Sequence, residues 1–503
     1  MKKLLFVFLV AFSAICLISC GSSEDSEFDT DDSNSDSNSG SGNSGVSDGE
    51  SNNGSDADVE RVDEGGFYTE CTPGDTRSCY EGPSGTEGVG VCKAGVSTCV
   101  EDGTDWSECK GQVLPTNEIC SNGIDENCDG EDMTLENAVD YDGDGYNYCN
   151  GDCCETGWEE NCSGTDSPER INPSSFEVPS NGVDDNCNGQ ADEVVSACDA
   201  NIATNTTNPM DMAQSIDLCP VTEDNTFGVV SAKLLFPDGT EGEIPAQQHA
   251  VLTAYGNVLK PKAGNSFLAF STGDLASTST DTQFETSSGA PDDWFQANGG
   301  SSFPDSPACS GLLNQSDPGT PPVNDPVMLE LVIRAPKNAS AFGLGVYYIS
   351  SEFPTYVCKF NDFFVMLLDT AFSTTDPNLQ NPADKNIAMD SLGNPLGINL
   401  AKSGLFTVCC PRNGYPSCQG DEELKGTPFT LNQCPNGMIG AVAMDSAHGA
   451  TGWLEVRGNI VPGEDFKLRM ALWDTNDHAL DSMVLLDNFT WYEVAGKPGI
   501  APK

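Results

Sequence analysis

The sequence predicts a mainly β protein, with disulfide-rich N-terminal modules built on acidic loops and then a jelly-roll-like antiparallel β-sandwich. Three observations carry that prediction. From Asp199 onward, short alternating apolar runs are separated by loops of Pro, Gly, Asn and Asp, and no long amphipathic helical period occurs. Before Asp199 the cysteines crowd: of 22 in the chain, twelve lie between Cys71 and Cys187 and eight between Cys198 and Cys434. Within the first group one phrase occurs twice. Asn122-Gly123-Ile124-Asp125-Glu126-Asn127-Cys128-Asp129-Gly130 and Asn181-Gly182-Val183-Asp184-Asp185-Asn186-Cys187-Asn188-Gly189 share six of nine positions.

Residues 1–19 read as a signal peptide. Lys2 and Lys3 precede an apolar run from Leu4 to Ile18, short for a spanning helix. The run ends Leu17-Ile18-Ser19-Cys20, with Gly21 following, and resembles the bacterial lipobox. That resemblance implies cleavage before Cys20 and lipidation of Cys20 itself. Because residue 21 is not Asp, it also implies the outer membrane of a diderm bacterium, with the lipid bilayer as partner through Cys20 and the protein facing the exterior. Export fixes the redox state as well. With Cys16 lost in the signal and Cys20 lipidated, 20 cysteines remain, an even number that suits a disulfide framework of open connectivity.

Residues 20–66 read as a disordered acidic tether of Ser, Asn and Gly. Between Gly21 and Gly66 there are 14 acidic residues against one basic, Arg61, and too little apolar area to fold. Such a chain reaches roughly 35–40 Å. Residues 67–121 form a Cys-rich module in which Cys71, Cys79, Cys92, Cys99 and Cys109 alternate with turn signals such as Pro73-Gly74 and Gly82-Pro83. Short strands pinned by disulfides are expected there, in place of a hydrophobic core. Zinc is not expected: there is no C-x-x-C, and the three histidines, His249, His448 and His478, lie far away in sequence.

Residues 122–198 are the acidic-loop region. From Phe67 to Cys198 there are 29 Asp and Glu against four Lys and Arg. Residues 199–503 are expected to form the sandwich, with strands at 229–236, 266–271, 327–334, 341–350, 363–368, 453–460, 466–470 and 482–494. Trp294, Trp453 and Trp473 are expected in its core, a sugar-stacking platform being the alternative.

Alternate oxygen side chains followed by a Gly that permits a sharp turn are what a loop offers a hard cation. Asp125, Asn127 and Asp129 take positions 1, 3 and 5 of such a loop, Gly130 position 6 and Glu136 position 12. Asp132 at an apolar position, Cys128 inside the loop and no amphipathic flanking helix argue for a disulfide-held calcium loop and not an EF-hand. Between the two phrases, Asp140, Asp142 and Asp144 repeat the pattern, but position 12 is Gly151, so closure falls to Asp152 or Glu155. In the second phrase Asp184, Asn186 and Asn188 precede Asp192 and Glu193. The bland alternative for all three is a set of Asx-turns.

These residues carry a resemblance. Gly85-Thr86-Glu87-Gly88-Val89-Gly90-Val91-Cys92, the two phrases, and Asp140 to Tyr146 resemble the metal-binding repeats of surface proteins from myxobacteria and related bacteria. A copper-binding surface protein of a methanotroph shares the repeat, so the resemblance leaves the metal open. The donor chemistry does not: all-oxygen Asp and Asn loops suit calcium, copper prefers imidazole or sulfur, and this region has no His. Calcium is the expected cofactor.

The C-terminal region resembles the choice-of-anchor L family, through Tyr347-Tyr348-Ile349-Ser350-Ser351-Glu352-Phe353-Pro354, Phe360-Asn361-Asp362-Phe363-Phe364, Asp474, Asp477 and Asp481 to Asn488. It departs in a Cys-rich insertion from Cys409 to Cys434. The resemblance implies an exported, anchored β-domain. Glu352, Asn361, Asp362, Asp474 and Asp481 form a candidate second calcium site at one edge of it, with strand-end capping as the alternative.

A formal charge of −56 excludes nucleic acid and anionic membrane surfaces as partners and favours cations. No G-x-S-x-G, H-E-x-x-H, Walker loop or dinucleotide fingerprint is present, so no enzyme is expected. The expectation is a calcium-stabilised, lipid-anchored cell-surface protein with a binding, adhesion or structural role toward a glycan or protein ligand. The alternatives are an exported polysaccharide hydrolase and a copper-sequestering protein.

Overall fold

The computed structural model describes residues 71–502 except 158–161, 163–164, 166, 195–196, 223–224, 311–318, 412–413 and 431–447. Cys20, the tether and part of the Cys409–Cys434 insertion lie outside the described residues.

The N-terminal module is a disulfide ladder. Strands β1 (Thr76–Cys79) and β2 (Gly95–Thr98) pair antiparallel, with Thr76 opposite Thr98. Cys71–Cys99 and Cys79–Cys109 bind this hairpin to its flanks. Cys92–Cys128 then ties it to the first phrase, Cys120–Cys149 ties the first phrase to the acidic loop, and Cys153–Cys187 ties that loop to the second phrase. Each of these five closes a loop of 28 to 36 residues. At that length a disulfide contributes roughly 3–4 kcal/mol by restricting the unfolded chain. The apolar cluster of this region is small, centred on Cys154, Cys162 and Ile171, so the ladder takes over the role of a core.

The C-terminal domain is a sandwich of two antiparallel sheets. One contains β4 (His249–Leu252), β5 (Phe267–Ser271), β8 (Ala341–Ser350), β10 (Gly449–Asn459), β12 (Ser482–Tyr492) and β13 (Gly499–Pro502), in the order β13-β10-β8-β12-β5-β4. The other contains β3 (Gly228–Leu235), β7 (Val323–Arg334), β9 (Phe363–Asp369) and β11 (Asp465–Asp474), in the order β3-β7-β11-β9, with the two-residue β6 (Ser287–Ser288) on β7. From β7 to β12 every successive strand changes sheet, which is the cross-sheet connectivity of a jelly-roll-like sandwich. The eight strands expected from the sequence correspond to β3, β5 and β7 to β12, whereas the short strands β4, β6 and β13 were not expected.

Side-chain alternation sorts the core into layers. Leu329, Leu331 and Ile333 of β7, Leu468, Met470 and Leu472 of β11, and Phe364 and Met366 of β9 meet Phe342, Leu344, Val346 and Tyr348 of β8 between the sheets. The outer faces are covered too, so β8 and most of β9 are buried along their length and read as continuous apolar runs. Tyr347, Ile349, Phe267 and Met483 pack outward against Leu424 and Phe429 of the loops. On the other side Phe363, Val365 and Trp473 pack against Trp294 of the short helix α2 (Asp292–Ala297) and against Phe303. Trp294 and Trp473 are core residues with no exposure, and Trp453 is partly buried against Tyr347. Helix α2 is pinned by charge: Asp293 receives Arg469 at 2.6 Å and Lys385 at 2.9 Å. Burial opposes its ionisation, but bonds from Arg469 and Lys385 hold its carboxyl well below the usual range.

The segment that leads into the second phrase is docked on the sandwich through Arg170 and Phe176. Arg170 donates to the carbonyl of Glu493 at 2.7 Å and to that of Asn338. Asn338 exchanges two hydrogen bonds with the Phe176 backbone, at 2.9 and 2.7 Å, and Phe176 packs against the main core. Near this junction a bulge in β12 brings Asp487 beside Asp217. Burial, then the charge of Asp199, raises Asp217 to about 6, and burial, with the charge of Asp217, raises Asp487 to about 7.

Two expectations follow. A carboxyl raised on folding holds its proton more tightly in the native state, so its stability contribution is full below the unfolded value and is lost as pH rises through the folded one. Asp217→Asn therefore flattens the fall in Tm between about pH 4 and about pH 6 relative to wild type, both read by calorimetry in excess calcium. Leu331→Ala, which removes a fully buried side chain between the sheets, costs about 2–5 kcal/mol in denaturant unfolding.

Candidate metal centres

The residues of the acidic region fold into three Asx-type loops, and the middle one closes. In each loop the first Asp spans the turn: Asp125 accepts from the backbone N–H of Asp129 and Gly130 at 3.2 and 2.9 Å, Asp140 from Gly143 and Gly145 at 2.6 and 3.0 Å, Asp184 from Asn188 and Gly189 at 3.0 and 2.8 Å. The Gly at position 6 has φ of 105°, 92° and 88° in the three loops, a left-handed conformation that a side chain disfavours. At Gly130 and Gly189 nothing lies within 4 Å of where a Cβ would stand, so conformation and not space selects glycine there. Cys128 and Cys187 are also left-handed, at 63° and 56°, which aims their sulfurs into the ladder.

The middle loop gathers five carboxylates. Asp140, Asp142 and Asp144 bring ligand oxygens within 4.8 Å of one another, as do Asp142, Asp152 and Glu155. Among the described residues these are the acidic groups that close so tightly. Four of the five use one oxygen on the backbone and leave the other unpaired. Asp142 accepts from Asp144 N–H at 3.1 Å, Asp144 from Tyr146 at 2.7 Å, Asp152 from Cys154 at 2.8 Å and Glu155 from Tyr141 at 2.8 Å. Their other oxygens, Asp142 Oδ2, Asp144 Oδ2, Asp152 Oδ2 and Glu155 Oε1, are buried without a hydrogen-bond partner. Burial raises all four carboxyls, Asp142 to about 6 and Asp152 to about 7, and the neighbouring carboxylates raise them further. Lys337 of the sandwich partly offsets this at Asp144, whose carbonyl it contacts.

Local structure explains why the chain returns on itself here. Asn147 caps the short 3-10 turn Tyr148–Asn150 and Gly151 follows with φ 103°, reversing the chain. Cys149, Cys153 and Cys154 are each held by a disulfide. Asp152 and Glu155 thus sit 3 % and 4 % exposed beneath the loop.

The two phrases are arranged differently. Glu136, the sequence match for position 12 of the first loop, is exposed, and Asp129 is exposed as well. The carboxylate that enters this loop is Glu118, accepting from Asn127 N–H at 2.6 Å and Met133 N–H at 3.1 Å, while Asp132 accepts from Gly123 at 2.9 Å. The strongest sequence pattern therefore makes the less open cage, because backbone and Asn127 donors already occupy most of its oxygens, Asp132 Oδ1 being left buried without a partner. In the second loop Asn186 and Asn188 donate to Glu193 Oε1, Asp192 accepts from Asn181 at 2.9 Å, and Glu177 accepts from Asp192 N–H at 2.6 Å. Glu193 Oε2 and Glu177 Oε2 are buried and unpartnered. Glu118 and Glu177 each stand seven residues before the first Asp of their phrase. That shared offset is the signal by which they could have been found.

At the far end of the sandwich Glu352, Asn361, Asp362 and Asp474 are all under 4 % exposed, as is Asp481. Asp362 lies within hydrogen-bond reach of both Glu352 and Asp474. Asp481 is turned away to Thr282, whose N–H and hydroxyl it accepts at 2.8 and 2.9 Å.

Residues 266–490 match the family described as Choice-of-anchor L domain. Residues 115–132 and 166–193 match a family described as "Putative metal-binding motif", whose name refers to copper. No curated protein and no solved structure matches the chain. The anchor-L match covers the sandwich from just before β5 into β12, and marks this as a domain of anchored cell-surface proteins. The metal-motif matches cover both phrases together with Glu118 and Glu177. The donors do not fit copper: they are carboxylate and amide oxygens, and all of Cys120, Cys128, Cys149, Cys153, Cys154 and Cys187 are engaged in disulfides.

If the closed cage holds calcium, removing one carboxylate from it is expected to weaken binding by roughly tenfold or more, since ligand charge sets affinity in such loops. Calorimetric titration of Asp152→Asn checks this, with Glu136→Gln expected to stay within about twofold of wild type.

Proposed function

We propose that the protein is a lipid-anchored cell-surface protein in which calcium stiffens a disulfide-laddered stalk that presents the anchor-L domain as a binding head. The observation that supports this reading best is the convergence of unpaired oxygens from Asp142, Asp144, Asp152 and Glu155. Carboxylates that close cannot all be ionised at neutral pH without a cation among them. Calcium accepts six to eight such oxygens and tolerates irregular geometry, so Asp140, Asp142, Asp144, Asp152 and Glu155 would hold it. Bound there, it would contribute folding free energy and no chemistry of its own.

The head's role in this reading is non-catalytic contact with a glycan or protein at the cell surface. Cys20 would carry the lipid and the acidic tether would hold the stalk clear of the membrane.

Chelation tests the stalk. With calcium removed, the segment from Cys120 to Cys187 becomes open to limited proteolysis, and calcium in excess restores resistance while copper does not. Protease sensitivity that is the same with and without chelator overturns the reading. A separate check concerns the anchor: Cys20→Ser releases the protein from the membrane fraction and abolishes labelling by a fatty-acid probe.

A further inference from the structure

We infer that the anchor-L domain carries a second centre for a hard divalent cation, independent of the stalk, held by Glu352, Asp362 and Asp474, with Glu352 reaching an open pocket that Asp477 also lines. Three segments from both sheets build it. Glu352 follows β8, Asn361 and Asp362 lead into β9, and Asp474 ends β11. The sandwich connectivity brings these strand ends together at one pole.

The cluster is more than a group of acids. Asp362 is held in place from both sides, its Oδ1 accepting the Thr475 N–H at 3.1 Å and its Oδ2 the Ser482 hydroxyl at 2.8 Å. Tyr348 donates to the Asp362 carbonyl at 3.3 Å and to Ser482 Oγ at 3.0 Å, fixing the segment further. Against this rigid carboxylate stand two whose oxygens are left over. Glu352 is 3 % exposed and Asp474 2 %, yet Glu352 Oε2 and Asp474 Oδ1 are buried with no hydrogen-bond partner. Leaving such atoms without a partner is costly in a folded core. A hard cation drawn between Glu352 and Asp474 beside Asp362 would supply the missing partner of both free oxygens, and oxygen ligands without nitrogen or sulfur select calcium over copper or zinc.

The centre also has an entrance. Glu352 and Asp477 line a pocket of ≈ 450 Å³ together with Asp281, Tyr356 and Phe360. Asp477 is exposed, and its charge faces Glu352. The pocket gives a cation a route from solvent to Glu352. Asp481, which shares this end of the sandwich, takes no part, because both its oxygens are committed to Thr282.

Equilibrium dialysis of the full chain with calcium, followed by terbium luminescence excited through the aromatic side chains, tests the inference. Glu352→Gln is expected to bind one calcium equivalent fewer than wild type and to lose part of the sensitised terbium emission. Asp477→Asn, at the exposed rim where folding is not at stake, is expected to weaken that same equivalent several-fold. Asp152→Asn in the stalk should remove a different equivalent and leave the head's intact, so failure of the stalk reading and failure of this one are told apart. Wild-type stoichiometry and affinity in both Glu352→Gln and Asp477→Asn overturn the inference, and if Glu352→Gln fails to fold, Asp477→Asn decides alone.

Discussion

Carboxylates brought together without enough cationic side chains to balance them are the constraint on which the rest of this structure depends. A formal charge of −56 on 503 residues would favour an expanded chain. The fold does not spread these charges evenly. It pairs some with bases, as in the network of Asp293 and Asp369 with Arg469 and Lys385. Others it packs against one another, in the middle stalk loop and at the pole of the sandwich. At such places desolvation and mutual repulsion act in the same direction, and each raises the cost of ionisation. Protons or a cation must relieve it. The stalk grouping favours a cation, since a shared proton pairs carboxylates two at a time, whereas here two triplets of carboxylates close within 4.8 Å through a shared Asp142.

Disulfides solve the complementary problem of holding those groups close. In the stalk the apolar cluster is too small to oppose the repulsion. The ladder Cys92–Cys128, Cys120–Cys149, Cys153–Cys187 fixes instead the ends of each acidic loop in turn. In the sandwich the same task falls to hydrophobic burial: Phe363 and Trp473, fully buried, adjoin Asp362 and Asp474 in sequence and anchor the strand ends that carry them. The two halves of the chain thus reach similar electrostatic arrangements by different means, covalent in one and apolar in the other.

What was legible in the sequence follows from this division. Strands such as Ala341–Ser350 and Phe363–Asp369 were readable because apolar runs bounded by turns have few other uses in a chain without helical periodicity. The covering of both outer faces was not, because Trp294 and Phe429 reach the sheets from loops and a six-residue helix that leave no periodic trace. In the stalk the Asx-loops were legible as local patterns of Asp, Asn and Gly. Which loop closes was not, since Asp152 and Glu155 reach Asp142 only through a capped turn and disulfides that pair residues 29 and 34 apart. Glu136 illustrates the converse: a perfect position in a one-dimensional pattern, on a side chain that the fold leaves exposed. At the head, strand order was enough to place Glu352, Asp362 and Asp474 near one another, whereas the orientation of Asp481 was not legible, because bonds to Thr282 in a distant loop decide where it points.

The stalk loop and the head are also in direct contact, and this bears on what a cation in the loop would do. Lys337, in the turn between β7 and β8, reaches the carbonyl of Asp144 and lies over the Tyr146 ring at 4.8 Å. On the same side Ser174 accepts the backbone N–H of Lys337 at 2.9 Å through its carbonyl. One lysine cannot neutralise five carboxylates, but it places the head's positive charge at the rim of the stalk's negative cage. In the reading proposed above, a cation bound in the cage would lower the repulsion beside Asp144, and the joint beneath the head would be held by the same ion that holds the loop. Stiffness of the stalk and orientation of the head would then be coupled through Asp144 and its contact with Lys337.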